Sequence, residues 1–392
     1  DPTPGTANSA TGVALGPIVK NVTENPPRPG NFDDLVITAE VTAAGAPVTD
    51  VTLYYRVMYG AEVAVPMNDN GLAGDLVAGD GIYTGIIPDE ASSSGQMVRW
   101  YVVANDAIDA ATLYPLFLNP NDSAQYLGTV VQQGNVPNTI PVFEYFVENV
   151  GASGTETGTR GSVYFLGEFY DNVFIRRRGG NTTQGRKFEF NQGQPFLFDP
   201  NEARVDEINL NERGAEPTYM RQVLAWEVYA AAGVPASIGQ AWYVRLNDAN
   251  LDVRIFVEQP DEHLLERTGL DENGAFYKIG ADGRENSVTS STNGVRKRTR
   301  KTEDNSDLQA LVNGVNPNNP NRVNYVYDNI DIAAAINYIA ATSIIHDNDH
   351  PHKNFHLYRD TEGSQQWTLI PWDKDLTFGL NFGIDGIIGD QD

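Results

Sequence analysis

Asp349 and Asn354 stand five residues apart in the run HDNDHPHKNFHLYRD, and Asp373 and Asp375 follow in PWDKDLTFG. Between them, Asn354 to Tyr358 and Trp367 to Trp372 read as the two strands of a short hairpin. An acid, an amide at +5 and another acid after the next strand is a layout suited to phosphoryl transfer. One carboxylate orients the attacking hydroxyl, while the amide and the second carboxylate hold divalent ions that bridge nucleotide phosphates. In this reading Asp349 serves the hydroxyl, Asn354 and Asp373 are metal ligands, and Asp375 offers another hard oxygen.

Four of the five histidines, His346, His350, His352 and His356, crowd the same stretch, so a zinc centre must be weighed. Zinc requires histidines spaced to converge, whereas strand-like alternation sends neighbouring side chains to opposite faces. The histidines are therefore expected to position a catalytic loop.

The letters are not those of common protein kinases, for HRD, DFG and a GxGxxG loop are missing. DHPHKN and PWDKDLTFG instead resemble the CotH kinase family, atypical kinases named for a spore-coat protein. RRRGGNTTQGRK, the helix ending AAAGVPA and the passage VRLNDANLDVRIFVEQPDEHLL agree with that family in order. The resemblance covers roughly residues 140 to 379 and implies ATP-dependent phosphorylation of protein Ser or Thr with Mg²⁺ or Mn²⁺. It makes Lys187, with Arg178, a phosphate contact, and Glu227 a partner for Lys187. Glu258 and Gln259 fall on a hinge-like passage and become nucleotide contacts, while Lys278 matches a family lysine without a stated role. A kinase lobe needs further helices after Asp375, so the sequence is expected to be a C-terminally incomplete domain.

Several elements must position these residues. The length of 392 residues favours two domains, and 41% hydrophobic content supports real cores. Residues 1–30 are Pro-, Gly- and Asn-rich and are expected to form a flexible leader. From 31 to 133, LVITAEVTA, VTDVTLYYRVMY, GIYTGIIP and MVRWYVVAND alternate as short strands, with Trp100 in a core strand. They resemble the immunoglobulin-like β-sandwich modules of secreted bacterial proteins. Residues 134–392 are expected to form an α+β atypical kinase-like domain, making the chain multidomain with an all-β front. Within this domain VFEYFVENV is expected to be helical. So is TYMRQVLAWEVYAAAG, whose Met220, Val223, Leu224, Val228 and Ala231 recur at helical spacing. IDIAAAINYIAATSII reads as a mostly buried helix delivering the chain to Asp349.

A net charge of −25 excludes nucleic acid and anionic membranes as broad partners, because both would be repelled. Zero cysteines exclude disulfides and thiolate metal sites, and no apolar run is long enough to span a bilayer. Acidity and abundant Gly, Pro, Asn and Thr fit an exported, secreted or surface-bound bacterial protein acting on a protein substrate or surface partner. Asp69, Asp75 and Asp80 share a Gly-rich loop that could wrap Ca²⁺, although Asp-Gly is also ordinary turn chemistry and EF-hand spacing is absent. The basic run VRKRTRKTED reads as a solvated loop. Two rival functions stay open: a surface interaction protein on a silent kinase-like scaffold, and transfer of another phosphate-containing group at the same site.

Overall fold

The computed structural model describes residues 15–134, 136, 139–178, 185–212, 218–347, 349–350 and 352–379. The chain is mostly β with few helices, its strands distributed over several sheets. It divides into two compact units. One holds Asp1–Arg176, Phe188–Phe198 and Tyr243–Asp252, and the other Arg177–Lys187, Asp199–Trp242 and Val253–Asp392.

In the first unit, period-two alternation builds two antiparallel sheets. Leu35–Thr42 pairs with Ile18–Asn25 and Ile82–Ile87. Met97–Asp106 pairs with Val48–Val57, Ala111–Tyr114 and Leu127–Val130, and Val48–Val57 pairs with Val63–Pro66. Leu35, Ile37, Ala39 and Val41 point inward from one sheet and meet Leu53, Trp100 and Val102 from the other in one apolar core. Each fully buried aliphatic side chain contributes roughly 1.5–3 kcal/mol relative to exposure. The strand Ile18–Asn25 lies inside the stretch expected to be a flexible leader, so that expectation fails there. Its apolar residues are only Ile18, Val19 and Val22, with Val19 buried, and pairing with Leu35–Thr42 supplies the order that its composition does not suggest.

Val142–Val147 is a strand, not the expected helix; it pairs with Thr159–Phe165 and, in parallel, with Tyr243–Leu246. A short apolar run gives no reliable period, and its aromatic and β-branched residues suit a strand buried on both faces. The helix that follows, Val150–Ser153, is only one turn long, with Asn149 Oδ1 accepting the N–H of Ala152.

The second unit is centred on an antiparallel sheet of Val295–Lys297, Ala275–Ile279, Phe355–Arg359 and Trp367–Pro371. Helices Arg221–Ala231, Ser306–Val315 and Ile332–Ile344 contribute Trp226, Tyr229, Leu308 and Tyr338 to a core shared with Tyr277, Phe355, Leu357 and Trp367. Helix Arg221–Ala231 forms where expected but buries Gln222, Ala225, Trp226 and Tyr229, leaving Met220 and Leu224 exposed. The two aromatic side chains bury more area than the aliphatic stripe and set the inward face. Helix Ile332–Ile344 corrects the expectation of a buried helix, since only Tyr338 and Ala341 are buried. Ile336, Ile339 and Ile344 are each at least 60% exposed.

Candidate active site

The chain reaches the site through helix Ile332–Ile344. Asp331 caps it, its side chain accepting from the N–H of Ala334 at 3.0 Å while its own N–H donates to the carbonyl of Trp367. The loop beyond it carries Asp349 and Lys353, whose carboxylate and ammonium lie 3.0 Å apart. Asn354 then turns in a left-handed conformation, φ 64°, and its Nδ2 donates to Asp349 Oδ2 at 2.6 Å. The N–H of Trp372 donates to the carbonyl of Asn354 at 3.0 Å. The backbone itself thus ties the end of the second hairpin strand to the start of the first. Asp373 follows at φ 56°, also left-handed. Asn and Asp tolerate this conformation better than most residues, and such local strain gathers where a site requires it.

Charge accumulates here. Burial raises the Asp349 carboxyl above its ordinary value, with Asp373 adding to the effect and Lys353 opposing it. Burial, then the charges of Asp373 and Asp349, push Asp375 up to about 7. Asp349, Asp373 and Asp375 therefore share one electrostatic neighbourhood. As a set their oxygens are not all within 4.8 Å of one another. Arg178 balances part of this charge: burial lowers its pKa, Asp373 and Asp375 oppose the shift, and its guanidinium lies 5.2 Å from the Trp372 ring centre.

Lys374 and Asp347 form a fully buried ion pair at 2.6 Å beneath the loop. The histidines serve structure. His350 packs against Tyr338 and Phe355, and burial pushes its imidazole down to about 4. His352 Nδ1 lies 2.6 Å from Ser287 Oγ. His356 is fully buried, stacked on Phe276 with its ring edge-on to Trp372. Among the described residues no three-ligand cluster includes a histidine.

Other anticipated residues fall elsewhere. Lys187 is ion-paired with Glu207, whereas Glu227 is exposed on its helix. The expected Lys187–Glu227 pairing is therefore replaced by Lys187–Glu207, because the helix turns Trp226 rather than Glu227 inward. Glu258 is buried and accepts from Arg267 Nε at 2.8 Å and from the N–H of Ile238 at 2.9 Å. Its own N–H donates to the carbonyl of Ile238, so it is not a free hinge amide. Gln259 accepts from Asn209 at 2.7 Å. Most of the RGGNTTQ segment, residues 179–184, lies outside the described residues.

Lys278 matches a family lysine whose role the sequence leaves open. It stands opposite His356 on one neighbouring strand and Arg296 on the other, and its Nζ lies 5.8 Å from the Trp372 ring centre. Burial pushes its ammonium down to about 8 against the pull of Asp373. The signal available in the sequence was a single lysine inside the otherwise apolar strand AFYKI.

In the first unit, Asp69, Asp75 and Asp80 each bring an oxygen within 4.8 Å of the others. Asp69 accepts the N–H groups of Gly79 at 2.7 Å, Asp80 at 3.1 Å and Gly81 at 3.0 Å.

This chain belongs to the CotH kinase family, whose model, described as CotH kinase protein, matches residues 164–386, more than half of its length. It is similar to the inner spore coat protein H of Bacillus subtilis (strain 168), with 26% identity over 182 residues, 44% of this chain and 50% of that protein. The chain thus spans about half the length of that curated relative. Among solved structures, an uncharacterized protein of Listeria monocytogenes EGD-e, in complex with glucose, magnesium and calcium, matches 49% of this chain and 17% of that one. Its 9% identity and TM-score of 0.20 carry no argument. Among the described residues no helix is long and apolar enough to cross a membrane.

Proposed function

We propose that the second unit is an ATP-dependent kinase acting on protein Ser or Thr. The observation that carries this reading is the hydrogen-bonded pair Asp349–Asn354, tied through the Trp372 N–H to the segment bearing Asp373 and Asp375, in a chain of the CotH kinase family. The acceptor hydroxyl is oriented by Asp349, whose burial-raised pKa suits it to accept a proton. The hydroxyl oxygen forms a bond to the γ-phosphorus, the bond from that phosphorus to the β–γ bridging oxygen breaks, and ADP departs. The hydroxyl proton passes to the Asp349 carboxylate.

Asn354, Asp373 and Asp375 form an all-oxygen donor set of the kind Mg²⁺ or Mn²⁺ prefers, and the mutual repulsion that raises Asp375 is relieved by a cation. A bound divalent ion supplies charge neutralisation for the transferring phosphoryl group. Arg178 adds fixed positive charge beside the same carboxylates. The two-sheet core of the first unit supports an immunoglobulin-like module, and its Asp69, Asp75 and Asp80 would hold Ca²⁺. Relatedness to a spore coat protein supports a surface or coat location with a protein partner or substrate.

The test is incubation with γ-labelled ATP and Mg²⁺ or Mn²⁺, comparing wild type with Asp349→Ala and Asp373→Ala. Labelled protein that disappears in both variants is the expected result. If wild type neither binds ATP nor transfers phosphate, the reading falls and a surface interaction protein on a silent scaffold takes its place.

A further inference from the structure

We propose that Lys278, not Lys187, is the lysine that contacts nucleotide phosphate, an inference that rests on the kinase reading above. The two lysines differ first in their partners. Lys187 is ion-paired with Glu207, and among the described residues it has neither an ion pair with Asp349, Asp373 or Asp375 nor a contact with the Trp372 ring. Lys278 has no carboxylate within ion-pair distance among the described residues, and its Nζ faces the ring of Trp372. In a chain with 52 acidic and 27 basic residues, a part-buried lysine lacking such a partner is an exception that its surroundings must explain.

Those surroundings are cationic. Lys278 and Arg296 stand side by side across the sheet, Arg296 being ion-paired with Asp282, and His356 lies on the other flank. The positive charges of Lys278 and Arg298 both act on His356, disfavouring its protonation. Among the described residues Arg298 Nε has no hydrogen-bond partner, and neither ring nitrogen of His356 has one. Arg178 approaches the same Trp372 ring as Lys278, and Asp373 acts electrostatically on both cations.

The arrangement therefore places two cations, Lys278 and Arg178, beside the carboxylates assigned to metal. A polyphosphate chelated to a divalent ion needs both: oxygen ligands for the ion and cations for the remaining phosphate charge. Lys278 reaches the Asp373 side of the site from the central strand Ala275–Ile279, so its position is held by sheet register instead of by a loop.

The experiment measures binding of ATP with Mg²⁺, and separately of adenosine, by calorimetric titration of wild type, Lys278→Met, Lys278→Arg and Lys187→Met. Thermal melting of each variant reports folding. Loss of a charge-assisted contact should weaken ATP binding by roughly 10- to 100-fold in Lys278→Met. Adenosine binding should be unchanged, Lys278→Arg should recover most of the ATP affinity, and Lys187→Met should stay within about threefold of wild type. If Lys278→Met binds ATP as wild type does, or loses ATP and adenosine alike, the assignment of Lys278 is overturned while the kinase reading stands. If wild type itself binds no ATP, the kinase reading falls and takes this assignment with it.

Discussion

The side-chain amide of Asn354 donates to Asp349 Oδ2 across 2.6 Å. This commits the amide nitrogen to the acid and leaves the amide oxygen free to serve as the ligand atom in the proposed metal site.

Asn354→Ala should therefore remove a ligand and release Asp349 together. Phosphate transfer is expected to fall by about 100-fold or more. Stability should fall by only about 1–2 kcal/mol, the cost of alanine in a left-handed conformation. Single-turnover transfer and a urea melt measure the two effects separately.

The Lys374–Asp347 pair is fully buried. Lys374→Met leaves a carboxylate without its cation and should cost roughly 3–5 kcal/mol in urea unfolding. Adding Asp347→Leu should recover most of that loss, because a matched apolar pair carries no stranded charge. A double variant as weak as the single one would contradict this.

His356 is held well below its ordinary pKa of 6.5 by burial and by Lys278, Arg298 and Lys374. Its folded pKa is depressed, so as pH falls below about 6.5 the unfolded chain takes up the proton first and stability is lost. His350, pushed down to about 4, acts with the same sign until the pH reaches that value. His356→Leu should flatten the acid side of the stability curve and be neutral or stabilising at pH 7, since it also removes two nitrogens that have no hydrogen-bond partner among the described residues. Chemical denaturation between pH 7 and about pH 5 tests this.

Gly280 follows directly on the strand that carries Lys278, at φ 75°, and a Cβ placed there would sit 2.7 Å from Lys353 Cα. Gly280→Ala should push on the loop bearing Lys353 and Asn354, costing roughly 1–3 kcal/mol and lowering transfer more than any change in ATP affinity. Comparing Kd for ATP with the transfer rate separates displacement from simple loss of binding.

The site was most legible where its logic is local. Asp349, Asn354, Asp373 and Asp375 lie on one loop and one hairpin, so spacing alone placed them together. The partner of Lys187 was not legible, because it depends on which face of helix Arg221–Ala231 turns inward, and tertiary packing of Trp226 and Tyr229 decides that. Lys278 showed the same limit: its neighbours Arg296 and His356 come from two different strands, and register across a sheet is invisible from either strand alone. In the first unit, alternation found the main strands, while Ile18–Asn25 hid in a composition that also suits a leader.

Helix Ile332–Ile344 shows solvent Ile336, Ile339 and Ile344 on a molecule whose net charge is −25. Mutual repulsion keeps such molecules apart in dilute buffer, and concentrated salt screens it while strengthening apolar contact. At the bench, the protein should precipitate early in an ammonium sulfate cut and cling to a phenyl column, behaving as a far greasier molecule than its acidic composition suggests.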